Sequence, residues 1–90
     1  MELSERFIRE LEREYATVYE HQDPAGKIYE EHAHPYETAV YVTDGDMTVT
    51  IEGVEHHVEQ NKRFDVPTNT PHIIKIGPAG AIYIIGEEKL

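Results

Sequence analysis

The sequence predicts an all-β fold, an antiparallel barrel or sandwich preceded by one short α-helix. Between Leu3 and Tyr15, apolar residues recur every four positions, which is the one-sided stripe of an amphipathic helix. From residue 16 onward, apolar and polar residues alternate, and turn residues interrupt the alternation every few positions. Many short alternating segments of this kind are typical of antiparallel barrels and sandwiches.

The 90 residues contain no linker, no long repeat and no low-complexity segment, so we expect a single domain over residues 1–90. We assign the helix to residues 1–15, with Ser4 as its N-cap, and the barrel to residues 16–86. His21, beside Asp23 and Pro24, is expected in a turn. Turns are also expected at residues 44–46 and 77–80, between extended segments at residues 27–32, 39–42, 47–51, 54–58, 64–66, 72–76 and 81–85.

Composition excludes several classes of function. The net charge is −10, so we expect neither nucleic acid nor an anionic membrane as a partner. The absence of Cys removes thiolate nucleophiles and cysteine-bound zinc, and the single Ser, Ser4, makes serine-based acyl transfer a poor explanation. No apolar run approaches the roughly 18 residues that cross a bilayer. The first 14 residues are too highly charged for a signal peptide, so we expect a cytoplasmic protein.

Histidine is the enriched functional residue, with six copies in the chain. His32 and His34 lie two positions apart on an extended segment, so their side chains project to the same side. His72 opens a later strand and can complete a group of three if both strands line one barrel. Imidazole is a good ligand for Zn, Fe, Mn, Ni and Cu, so we expect one divalent metal ion whose identity stays open.

Two segments resemble the paired motifs of the cupin superfamily, and together they cover residues 26–76. They read Gly26-x5-His32-x-His34 with a closing Gly45, and Asn61-x5-Pro67-x-Asn69-x2-His72. The resemblance implies a double-stranded β-helix, also called a jelly-roll barrel, with the metal held inside it. It also implies a functional range that includes dioxygenases, isomerases and decarboxylases.

The family motif has a metal-binding Glu at the place of Thr38, whereas the nearest carboxylate belongs to Glu37. A shift of one residue in a regular strand turns a side chain to the opposite face. Glu37 is therefore either a fourth ligand or an acid of the loop, and both alternatives stay open.

Two functions follow from this site. The first is a metal-dependent enzyme that acts on a small molecule, and the second is a non-catalytic module that binds or senses a small ligand. We also expect a homodimer, because Ala39 and Tyr41 make the second face of their strand apolar. The N-terminal helix could cover that face within one chain instead.

Overall fold

The structure is a computed structural model that describes residues 2–90 of the chain. In this range the predicted all-β architecture with one short N-terminal helix is confirmed. The elements in chain order are α1 (Leu3–Glu12), β1 (Tyr15–Asp23), β2 (Ile28–His32), β3 (Thr38–Ile51), β4 (Val54–Val58), β5 (Arg63–Val66) and β6 (His72–Lys89). No helix within residues 2–90 is long and apolar enough to cross a membrane.

The two long strands β3 and β6 run antiparallel to each other over most of their length and belong to two sheets at once. The first sheet joins β1 to the C-terminal half of β6, and β5 to the N-terminal half of β3. The second sheet joins β2 to the N-terminal half of β6, and β4 to the C-terminal half of β3. The barrel interior lies between these sheets.

The turns expected at residues 44–46 and 77–80 are wrong, since β3 and β6 continue through them. The ladder between β3 and β6 bends there through two register shifts, one between Val42 and Asp44 and one between Gly45 and Met47. Gly45 has φ +73°, and a Cβ atom at this position would collide with the carbonyl group of Gly80. Glycine allows both the left-handed backbone and this close approach, so it produces a bulge here and not a chain reversal.

The helix is also shorter than expected. It begins after Glu2, which is its N-cap in place of Ser4, and it ends at Glu12. Tyr15 already belongs to β1, where it pairs with Lys89. Its side chain nevertheless packs in the same cluster as Leu11, and this explains why the four-residue spacing seemed to continue. β1 extends to Asp23, so His21 lies in a strand and the expected turn there is wrong.

Alternation along β3 divides the core into two clusters. The inner cluster, between the sheets, includes Val40, Val42, Met47, Val49 and Ile76. The outer cluster lies beneath α1 and consists of Phe7, Leu11, Tyr15, Ala39, Tyr41 and Ile84. The helix therefore covers the second apolar face of β3 within one chain, as one of the two alternatives expected.

Candidate metal centre

Three histidines come together at one end of the inner face. His32 ends β2 and His72 begins β6, and the two residues are direct partners in the antiparallel ladder. Direct partners project to the same face of a sheet. His34 lies in the loop two residues beyond the end of β2, and its side chain reaches the same point.

The predicted convergence of the three histidines is confirmed. The ring centroids of His32 and His72 are 4.3 Å apart, those of His32 and His34 are 4.9 Å apart, and those of His34 and His72 are 5.4 Å apart. Each residue offers a ring nitrogen, and these nitrogen atoms all lie within 4.8 Å of one another. Such a group is compact enough to hold a single metal ion.

Backbone hydrogen bonds prepare two of the rings as ligands. Nδ1 of His32 lies 2.7 Å from the carbonyl oxygen of Glu30, and Nδ1 of His72 lies 2.8 Å from that of Thr70. A carbonyl oxygen can only accept, so Nδ1 carries the proton in both rings. The neutral ring then keeps a free lone pair on Nε2, and a hydrogen bond of this kind commonly orients histidines that bind metals.

Burial favours the neutral form that a ligand needs. His72 is 2% exposed, and burial lowers its pKa. The hydrogen bond to Thr70 acts against burial, and His32 and His34 add smaller effects that lower the pKa further. Burial also lowers the pKa of His34, and His32 acts in the same direction.

A backbone hydrogen bond joins the two loops that carry the site. The backbone N–H of Asn69 donates to the carbonyl oxygen of His34 at 2.7 Å. This bond connects the loop before β6 to the loop after β2, and so ties the two halves of the site together.

The histidines line a cavity of about 290 Å³ in the barrel interior. Its walls are mainly apolar, with side chains of Val40, Val49, Val66, Ile74 and Ile85. Thr38 also lines the cavity and is 7% exposed. A mostly apolar pocket with a few polar groups at one end is typical of sites for small ligands.

Glu37 lies apart from this group. One of its carboxylate oxygens is 3.4 Å from Nζ of Lys89, and it is not among the residues whose ligand atoms cluster. His56 packs its ring 5.0 Å from that of Phe64 and does not line the cavity. His57 is exposed, and its Nε2 lies 2.6 Å from a carboxylate oxygen of Asp46.

The sequence analysis missed a polar network around Asp23 at the cavity wall. Asp23 is 4% exposed, and its carboxylate accepts hydrogen bonds from Tyr29 and Tyr83 at 2.9 and 2.5 Å. Nε2 of His21 lies 3.0 Å from the same carboxylate. Burial alone raises the pKa of Asp23, but these three bonds outweigh it and the pKa is lowered. Burial, followed by the bond to Asp23, raises the pKa of Tyr83.

Glu87 was also missed, although it lines the same cavity as the histidines. It shares the inner face of β6 with Tyr83 and Ile85, and its Cα partner on β3 is Thr38. The two-residue spacing of these side chains was a usable signal. The strand assigned to this part of the chain ended at residue 85, which left Glu87 outside it.

A family model described as a cupin domain matches residues 18–81. No curated protein sequence matches the chain. An RmlC-like cupin from Shewanella frigidimarina is similar in structure, with a TM-score of 0.72 and 24% identity over 82% of this chain and 66% of that one. The DMSP lyase DddQ from Ruegeria pomeroyi gives a TM-score of 0.71 and 21% identity over 79% of this chain and 36% of that one.

KdgF from a Halomonas species gives a TM-score of 0.66 and 19% identity over 81% of this chain and 68% of that one. The aligned part of this chain covers less than two thirds of the length of the RmlC-like cupin and of DddQ. At these identities, the likeness shows the fold alone. The double-stranded β-helix expected from the sequence is confirmed.

Proposed function

The chain belongs to the cupin-domain family, and we propose that it binds one divalent metal ion through His32, His34 and His72 and acts on a small molecule in the adjoining cavity. One observation carries this proposal. Three imidazoles with ligand atoms within 4.8 Å of one another line a mostly apolar cavity. A purely structural metal site has no need of such a space.

The donor set fits a divalent ion that keeps open coordination positions. Three protein ligands commonly leave room for water or substrate, whereas structural zinc sites are closed by four. When bound, the ion would supply Lewis-acid polarisation of a substrate oxygen. Its identity is left to experiment, because three imidazoles suit several metals.

Polar side chains other than the three histidines also surround the cavity, and their arrangement does not require a bound ion. The Asp23 network holds the hydroxyl groups of Tyr29 and Tyr83 in fixed positions at the wall. Glu87 adds a carboxylate to the same wall. These groups can orient a polar substrate, and the apolar side chains exclude water from it. A volume of about 290 Å³ lies at the small end of the usual range of ligand pockets, so the substrate would be small.

Elemental analysis of protein purified without added metal tests the proposal. We expect about one ion per chain in the wild type and none in the variant His32→Ala/His34→Ala/His72→Ala, because neutral imidazoles are the only donors proposed. His57→Ala is the matched control, since it removes an exposed imidazole that pairs with Asp46 and does not line the cavity. Unchanged uptake in the triple variant would contradict the site assignment. A wild type without metal would favour the non-catalytic binding module.

The homodimer and the cytoplasmic location stay predictions. The face that suggested a dimer is covered by α1, but Ile28 and Ile73 are 56% and 36% exposed on the outer side of the second sheet. A second copy that covered these side chains would remove apolar surface from water, and this possibility supports the dimer. Light scattering should report about twice the chain mass of 10.4 kDa, and a value near 10.4 kDa at high protein concentration would exclude the dimer.

A further inference from the structure

Glu87 is the one acidic residue among those that line the cavity within residues 2–90. It is half-buried near the end of β6, on the face that carries Tyr83 and Ile85 into the interior. Its position opposite Thr38 in the β3–β6 ladder places the two side chains next to each other on this face. The site therefore contains a carboxylate, which comes from β6, the strand that His72 begins, and not from the loop after β2 where Glu37 lies.

Glu87 lines the same cavity as the histidines, outside the group whose ligand atoms lie within 4.8 Å of one another, and it has no cationic partner among the described ion pairs. Tyr36 donates its hydroxyl hydrogen to Oε2 of Glu87 at 3.1 Å, and the ring of Tyr36 stacks on that of His34 at 5.4 Å. Across the described part of the chain, no ion pair involves Glu87. Glu37 differs in this respect, because Lys89 already neutralises it.

We propose that Glu87 supplies the negative charge that stabilises the metal ion bound by the three histidines, an inference that rests on the proposed function. Three neutral imidazoles contribute no charge, so the two positive charges of the ion would stand uncompensated in a partly desolvated cavity. A nearby carboxylate lowers that cost.

Titration with Zn²⁺ by calorimetry, at one pH and ionic strength, tests the inference. Glu87→Gln keeps the shape of the side chain and removes its charge, and we expect affinity to fall by about 10- to 100-fold, the usual effect of groups that support metal ligands. Glu37→Gln removes the same charge beside Lys89, outside the group of three histidines, and should leave affinity within about 3-fold of the wild type. This pair separates a local effect from the change in net charge.

The position of Thr38 provides a rescue. Thr38→Glu places a carboxylate next to position 87, so it should strengthen binding by itself and restore at least tenfold of the loss in the double variant with Glu87→Gln. Tyr36→Phe removes only the hydrogen bond that orients Glu87 and should weaken binding by a few fold. It also keeps the inference testable if Glu87→Gln does not fold, which circular dichroism of the metal-free protein would reveal.

The outcomes separate this inference from the proposed function. If Glu87→Gln binds Zn²⁺ as tightly as Glu37→Gln while His72→Ala abolishes binding, the histidine site stands and the role of Glu87 is wrong. If the wild type takes up no Zn²⁺, the proposed function and this inference are overturned together.

Discussion

Strand β3 separates two regions of opposite character. On its outer side, α1 closes over Ala39 and Tyr41, and Phe7 stacks on Tyr41 with ring centroids 3.9 Å apart. On its inner side, Thr38 and Val40 face an open cavity with three histidines at one end. One strand thus carries a packed face and a face with unfilled space.

Charges differ between these regions as much as packing does. Beneath α1, the guanidinium of Arg63 lies 2.7 Å from carboxylate oxygens of Glu10, Glu14 and Asp65. Its bonds to these carboxylates, that to Glu14 first, raise the pKa of Arg63. In the cavity, the three imidazoles face one another with lone pairs that no protein donor occupies in the described contacts. A region whose polar groups all pair with other groups of the protein adds stability to the fold, whereas a region with free lone pairs can bind an external partner.

The largest effect on stability should come from the closed region. Leu11 is 0% exposed in the outer cluster, so Leu11→Ala should lower the free energy of unfolding by about 2–5 kcal/mol through lost burial and a new cavity. Leu3, which is 41% exposed on the same helix, is the matched control. Leu3→Ala should change the free energy of unfolding by less than about 0.5 kcal/mol. Urea denaturation measures both. Metal stoichiometry should be unchanged in the folded fraction of either variant.

The open region should show the reverse. His34→Ala removes a proposed ligand, and we expect metal affinity to fall by more than about 100-fold, beyond the range for supporting groups. The metal-free protein should lose less than about 1 kcal/mol of stability, because the ring lines a cavity and fills no packed core. Calorimetric titration and urea denaturation, with His56→Ala as control, test the contrast. A large loss of metal-free stability in His34→Ala would show that the two regions do not divide these roles.

Asp23 tests whether hydrogen-bonded polar groups beside the cavity also stabilise the fold. Asp23→Asn replaces a buried carboxylate that has three hydrogen-bond partners with a neutral amide. The substitution should lower the free energy of unfolding by about 1–3 kcal/mol near pH 7. Because the pKa of Asp23 in the folded protein is below its ordinary 3.8, the carboxylate stabilises the fold above that pH. This contribution is lost as the pH falls through the lowered pKa.

The difference in unfolding free energy between wild type and Asp23→Asn should therefore be constant from neutral pH down to about 5 and should shrink below about 4. Urea denaturation at several pH values measures it. Asp44→Asn changes an exposed carboxylate and should show no such trend. A pH-independent difference for Asp23→Asn would mean that the ionised form contributes nothing.

The smallest effect is expected at Glu37, whose surface ion pair with Lys89 contributes about 0–1 kcal/mol. Glu37→Ala should reduce metal affinity by less than about tenfold, well below the effect of His34→Ala, because loss of a supporting group costs about 10- to 100-fold at most. The same titrations decide this point. If Glu37→Ala is as damaging as His34→Ala, Glu37 is a ligand and the loop after His34 rearranges on binding.

Local patterns in the sequence determined the face on which each proposed ligand lies. The two-residue separation of His32 and His34 predicted that their side chains lie on the same side. The segment from Pro67 to Asn69 predicted that His72 begins a strand. Side-chain direction in a strand depends only on whether the separation is odd or even, and this rule covers His32 and His72. His34 lies two residues beyond β2, so the loop brings it to the same point.

Only the tertiary structure decided which strands lie side by side. The carboxylate of Glu87 comes next to Thr38 through a pairing of residues 49 positions apart, and Tyr83 reaches Asp23 over 60 positions. The bends at Gly45 and Gly80 likewise depend on how β3 and β6 approach each other. Alternation specifies a face, but the register between distant strands results from packing of the whole chain, so the histidines could be found from the sequence and the groups around them could not.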